Sequence, residues 1–330
     1  EETLEKEGIK SKRCAGTGLI ALLNEGEEAI AVRADMDALP INGVRHLCGH
    51  DYHMGIAMGT MMVLKDIGYD GCVKFLFQPA EEDQGGALPM IKEGALLEPR
   101  VTEAIGYHLW PGLDIGKIQV EAGPSMGSVD DFIITIKGVG GHAAMPHQCK
   151  NPIYPAMEII QGVNIKSRSQ IDPQNEHVIT FTSINGGKAT NVIPTDIVLM
   201  GTVRTFDETL RYKLAEMIKA TAVSAAENYG CTAEVDYIFG YPPVISNPQV
   251  TNRFIKATKE LLGEENVLPI DKTFGADDFA FFALEVPSVH FRLGITGDIK
   301  GKHPLHSPYF DAEEDVLFYG IYTLVNYIIK

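Results

Sequence analysis

Short apolar runs separated by segments of helical period open the chain. EAIAVRA (Glu28 to Ala34), CVKFLFQ (Cys72 to Gln78) and EAIGYH (Glu103 to His108) are apolar enough to predict buried strands. Between the first two, HMGIAMGTMMVLKDIG repeats its apolar positions with helical spacing, and its small residues are expected to let it lie close to a sheet. Alternation of this kind predicts an α/β sandwich with a largely parallel sheet. The opening EETLEKEGIK reads as the end of an amphipathic helix. Residues upstream of it are therefore expected, and a signal peptide on a longer precursor stays open.

The middle of the chain has a different rhythm. DFIITIKGV (Asp131 to Val139) alternates as a half-buried strand, and NPIYPAMEIIQGVNIKSR follows as a helix with Pro152 near its start. Two more strands, HVITFTSI (His177 to Ile184) and DIVLMGTVRTF (Asp196 to Phe206), precede a helix from about Asp207 to Asn228 and a last strand, CTAEVDYIF. This β-α-β-β-α-β order predicts a ferredoxin-like unit. From about Val244 the α/β pattern resumes and runs to the final helix. The economical partition is a discontinuous α/β domain, residues 1–128 and 241–330, with residues 129–240 inserted as a second domain. No internal repeat or low-complexity tract interrupts this order.

Composition narrows the function classes. A chain of 330 residues exceeds what one hydrophobic core usually serves. Its formal net charge of -16 argues against nucleic acid and anionic membranes as partners, although one or two local arginines could still hold a small anion. Five cysteines at irregular spacing do not form a disulfide framework, so a cytoplasmic location is expected. No apolar run approaches a membrane span.

Candidate chemistry clusters at the predicted strand ends. Asp35 and Asp37 follow the first strand, Glu81 and Glu82 the second, and His108 ends the third. Ligands of open α/β sheets bind outside the carboxyl ends of the strands, so these groups should converge on one rim. HLCGHDYH, leading into a helix, can bring Cys48 and His50 there; KHPLHSPYF offers His303 and His306 just before the last helix. Taken singly, each has a plainer reading. Cys48 alone would be a small buried hydrophobe, adjacent glutamates are usually solvated, and His177 and His290, inside strands, are read as structural. The joint pattern is harder to dismiss. Two neighbouring carboxylates at a strand end can face different ways, one toward a metal and the other toward a water as general base.

Taken in order, RADMDALP, HLCGHDYHM, FQPAEEDQGGA, GYHLWPG, GVGGHAAMPH, NVIP, GTVRTFD and LHSPYF resemble the motifs of the M20 metallopeptidase family. The nearest branch is the amidohydrolases that cleave N-acyl amino acids: hippurate hydrolases, auxin-conjugate hydrolases and N-acetyldiaminopimelate deacetylases. The resemblance spans nearly the whole chain. It implies a zinc-peptidase-like α/β domain carrying a ferredoxin-like lid that also makes a homodimer. It implies two divalent metal ions per subunit, zinc or manganese, with nickel or cobalt also suited. Cys48 would bridge them, His50 and His108 would bind one, and Glu82 and His306 the other. Glu81 matches the general base acting on a metal-activated water, and Asp37 the acid that orients a ligand. His142, Asn191 and Arg204 match lid residues that contact the substrate carboxylate or the developing oxyanion, in several relatives across the dimer.

Three departures bear on specificity: the loop before Cys48 is short, FGADDFAFF places Asp277 where a longer acid is common, and Asp83 stands where glycine is common. The substrate carboxylate is assigned to Arg204, and a short acyl group is favoured over a bulky one. Three rivals are weighed: a metallo-aminopeptidase or dipeptidase of the same fold, a cysteine hydrolase using Cys48 with His50 as base, and a non-catalytic binding protein. The glycines of GVGGHAA lack dinucleotide-binding spacing.

Overall fold

The computed structural model describes every residue except Asn42 and Gln84. It divides into two compact units, one made of residues 1–125, 244–272 and 277–330, the other of residues 126–243 and 273–276.

The first unit is built on an eight-stranded sheet in the order Lys10–Cys14, Gly18–Leu23, Val73–Gln78, Glu28–Asp35, Arg100–Asp114, Ser288–Thr296, Ile118–Gln119, Val267–Leu268. Its four central strands are mutually parallel. Every residue of Val73–Gln78 is buried, as expected of a strand covered on both faces. An antiparallel hairpin, Lys10–Cys14 with Gly18–Leu23, extends one edge; the sequence reading did not single it out.

Helix His50–Asp66 packs Ile56, Ala57, Met61 and Leu64 into the core. Its glycines serve a different neighbour from the one expected. A Cβ on Gly59 would stand 2.2 Å from Ile321 Cδ1, and one on Gly55 3.0 Å from Leu317 Cδ2. Both glycines thus admit the C-terminal helix, Asp315–Ile328, rather than the sheet.

The second unit holds four antiparallel strands in the order His177–Asn185, Asp196–Thr205, Asp130–Lys137, Thr232–Phe239. Helices Ile153–Gln170 and Glu208–Asn228 cover them around a separate core that includes Phe132, Ile159, Leu199 and Leu214. Chain order and strand order are those of a ferredoxin-like fold. Asp207 caps the second helix, accepting from Leu210 N. No described helix is long and apolar enough to cross a membrane.

Candidate metal centre

The site forms where the parallel strands of the first unit end. Glu28–Asp35 delivers Asp35 and, two residues on, Asp37; Val73–Gln78 leads to Glu81 and Glu82; Arg100–Asp114 carries His108. Cys48 sits two residues before helix His50–Asp66. Left-handed backbone occurs at three of these points: Gly49 (φ 83), Ala80 (φ 54) and His306 (φ 64). For Ala80 and His306, which carry a Cβ, this conformation costs on the order of 1 kcal/mol or more, a strain typical of functional sites. The turn at Ala80 sends neighbouring carboxylates to different partners.

Donor atoms of six side chains meet there. Those of Cys48, His50 and His108 lie within 4.8 Å of one another, and so do those of Cys48, Glu82 and His306. A third such group is His50, Glu81 and Glu82. The tautomers follow from the outer contacts. His108 Nδ1 donates to Leu109 O at 2.7 Å, leaving the lone pair of Nε2 facing Cys48 Sγ at 3.4 Å. His50 Nδ1 lies 3.1 Å from Asp37 O and 3.4 Å from Asp37 Oδ1, while its buried Nε2 has no hydrogen-bond partner. Glu82 Oε1 is 2.8 Å from His306 Nε2 without forming an aligned hydrogen bond. Asp37 Oδ2 accepts from the backbone N of Glu82 at 3.0 Å, so one carboxylate stands against both the His50 ring and the Glu82 main chain. Lone pairs converging in this way, with second partners fixing the rings, fit a metal site.

The electrostatics differ among the donors: His108 is held neutral, while His50 and Cys48 give up a proton to bind an ion. Burial, reinforced by His53, holds His108 neutral by lowering its pKa to about 3. Burial disfavours charge on His50, but Asp35 and Asp37 outweigh it and raise its pKa to about 9. Burial, then Glu82 and Glu81, push the Cys48 thiol well above its ordinary range. A thiolate here needs a cation beside it. Burial and the charge of Asp277 likewise raise Glu81 well above the carboxylate range.

Beneath the donors lies a buried charge cluster that the sequence reading did not assemble. Arg33 donates to Asp35 Oδ2 (2.5 Å), Asp278 Oδ1 (2.8 Å) and Gln78 Oε1 (2.9 Å), and lies 3.1 Å from Asp277 Oδ1. Asp35 also takes His53 Nδ1 at 2.5 Å, and His53 Nε2 accepts from Leu109 N at 3.0 Å, so both nitrogens of His53 are engaged. His290 lies 3.4 Å from Asp277, and His177 spans Ser167 and Asn175. The signal for the cluster was present: an arginine inside AIAVRA, an otherwise apolar strand, has to find carboxylates.

The remaining predicted residues lie in the second unit. His142 pairs in register with Val192, and Ala143 N donates to Asn191 O at 3.0 Å, so His142 and Asn191 share one two-stranded ribbon. His142 Nδ1 accepts from Ala144 N at 3.1 Å, which places the proton on Nε2. Arg204, elsewhere in that unit, donates to Phe274 O at 3.1 Å.

The model of peptidase family M20/M25/M40 matches residues 31–330. The chain belongs to this family. It is therefore a hydrolase of amide C–N bonds. It is 34% identical to thermostable carboxypeptidase 2 of Saccharolobus solfataricus, over 97% of this chain and 86% of that protein. It is 35% identical to N-acetylcysteine deacetylase of Bacillus subtilis, over 91% and 81%. The crystal structure of the Bacillus subtilis YXEP protein, a dinuclear metal binding peptidase from this family, has 31% identity and a TM-score of 0.83, covering 99% of this chain and 90% of that one.

Proposed function

We propose that the chain hydrolyses N-acyl amino acids at a centre of two divalent metal ions. The observation that carries this is a shared atom: Cys48 Sγ belongs both to the His50–His108 group and to the Glu82–His306 group. Each pair would hold one ion, with the thiolate between them. Bound metal supplies Lewis acidity toward the amide carbonyl and toward water. The thiolate favours zinc, while the imidazoles and carboxylates also suit manganese, nickel or cobalt. Asp37 orients His50. Glu81 takes the proton of the attacking water and returns it to the leaving nitrogen. His142 donates its Nε2–H to the developing oxyanion, Asn191 hydrogen-bonds the substrate, and Arg204 takes a carboxylate. A Cys48 nucleophile is disfavoured, because a raised thiol pKa is the reverse of what that chemistry needs.

A cavity of about 590 Å³ adjoins the centre, lined by Met36, Leu39, Pro40 and Pro79 beside Asp37 and Glu82. Its volume is within the range of ordinary ligand pockets, and it gives the acyl group room beside the centre. The test combines chelation with a panel of N-acetyl, N-benzoyl and indoleacetyl amino acids and simple dipeptides. Activity should vanish on chelation and return with a divalent ion, and the panel ranks the acyl groups. Chelator-resistant turnover would remove the metal reading. Preference for dipeptides would move the assignment to a dipeptidase.

We also propose a homodimer formed through residues 129–240. Tyr154, Met157 and Ile165 stand exposed on one helix of that unit, and Ile184 on its edge strand His177–Asn185. Apolar exposure beside an unpaired edge marks an association surface. If the lid acts across the dimer, mixing inactive Glu81 and His142 variants should restore activity. No recovery, despite demonstrated subunit exchange, would place the complete site within one chain.

A further inference from the structure

Three described arginines are buried, and two have full complements of carboxylates. Arg33 faces Asp35, Asp277 and Asp278, and Arg211 is held by both oxygens of Asp130. Arg292 is the exception. It lies within strand Ser288–Thr296, 1% exposed, and among the described residues the only hydrogen bond of its side chain sends Nη1 to Asp271 O at 2.6 Å. Nε and Nη2 are buried and have no hydrogen-bond partner among the described residues. Gln119, its register partner on one side, turns its amide nitrogen to Asp271 Oδ2 instead. Burial, countered only by exposed Asp271, lowers the Arg292 pKa to about 10. A buried charge left this way is costly.

The position of Arg292 indicates what would balance it. Its register partner on the other side is His108, so both side chains rise from the same sheet face. Trp110, two residues beyond His108 and half-buried, covers the guanidinium, with Arg292 Cζ 3.6 Å from the indole centroid. Nε–H and Nη2–H lie along one edge of the planar guanidinium and point the same way, the arrangement that receives both oxygens of a carboxylate.

We propose that Arg292 is a carboxylate-binding residue of the catalytic unit, where the amino-acid half of the substrate docks on the Nε–Nη2 edge beside the Trp110 indole. The choice of carboxylate rests on the N-acyl amino acid reading; the unpaired edge does not. Arg292 would act in addition to Arg204, from the unit that carries the metal donors.

Trp110 is the only tryptophan in the chain, so intrinsic fluorescence reports on this wall alone. The experiment titrates the purified enzyme with free L-amino acids, which are not turned over, and with their carboxamides. The expected result is a saturable change in emission, with the acids binding at least tenfold more tightly than the amides. Arg292→Met should bring the acids to the affinity of the amides, and Arg292→Lys should recover part of the difference, since it keeps the charge without the fork. In hydrolysis, Arg292→Met should raise KM at least tenfold, with a smaller change in kcat. Equal responses to acid and amide in the wild type would overturn the proposal, whether or not the variants fold. So would an Arg292→Met protein that keeps the acid preference, since the carboxylate would then sit on the metal. A wild type that binds the acids but cleaves no N-acyl amino acid would sink the proposed activity and leave this site standing.

Discussion

Glu81→Gln should lower kcat by about four orders of magnitude while leaving the metal content of the protein at the wild-type level. Glu81 is 7% exposed, and its donor atoms group both with those of His50 and Glu82 and with those of Asp277 and Asp278. The second group crowds it with like charge; burial and the Asp277 charge raise its affinity for a proton. Glutamine keeps the shape and fills the same space, but it neither accepts the proton of water nor returns one to the departing amine. One substitution therefore removes base and acid together. Glu82→Gln makes the contrast, because its carboxylate stands with Cys48 and His306. That variant should lose metal as well as turnover. Kinetics paired with elemental analysis separates the two residues. Near-normal turnover in Glu81→Gln would end the general-base assignment, and loss of metal from it would make Glu81 a ligand.

The convergence of these groups was legible because strand ends are legible. Apolar runs at Glu28, Cys72 and Glu103 located three parallel strands, and the polar residues that follow such runs gather on one rim. The partners beneath them were not. Asp277 and Asp278 reach Arg33 from about 244 positions away, and only the finished sheet brings them under the strand. The trace each left was a charge inside an apolar run. Lys74, in VKFLFQ, leaves the same trace and is met by three backbone carbonyls, those of Ala95, Leu97 and Pro99. A helical period has a similar limit. It marked the helix that runs His50–Asp66, but not that Gly55 and Gly59 would admit a helix from the far end of the chain.

Arg33→Met should destabilise the catalytic unit by about 3–5 kcal/mol, the usual penalty for removing one partner of a buried ion pair. Methionine approximates the length of arginine, so little of the loss comes from an empty cavity. What remains is three carboxylates. Asp35 and Asp277 are held below the carboxylate range in part by this guanidinium, and both are fully buried. Asp278, raised to about 6 even with Arg33 present, would take a proton first. Its contacts with Gln78 Nε2 and Ala87 N would survive that change, since both are donors to an oxygen. Asp35 has less freedom, because His53 and His50 depend on it for position, and through them the loss would reach the metal donors. Chemical denaturation of wild type and variant, compared at equal pH, gives the difference directly. A change below about 1 kcal/mol would mean that protons or water neutralise the cluster at small cost, and the guanidinium would then not be the element holding these carboxylates in place.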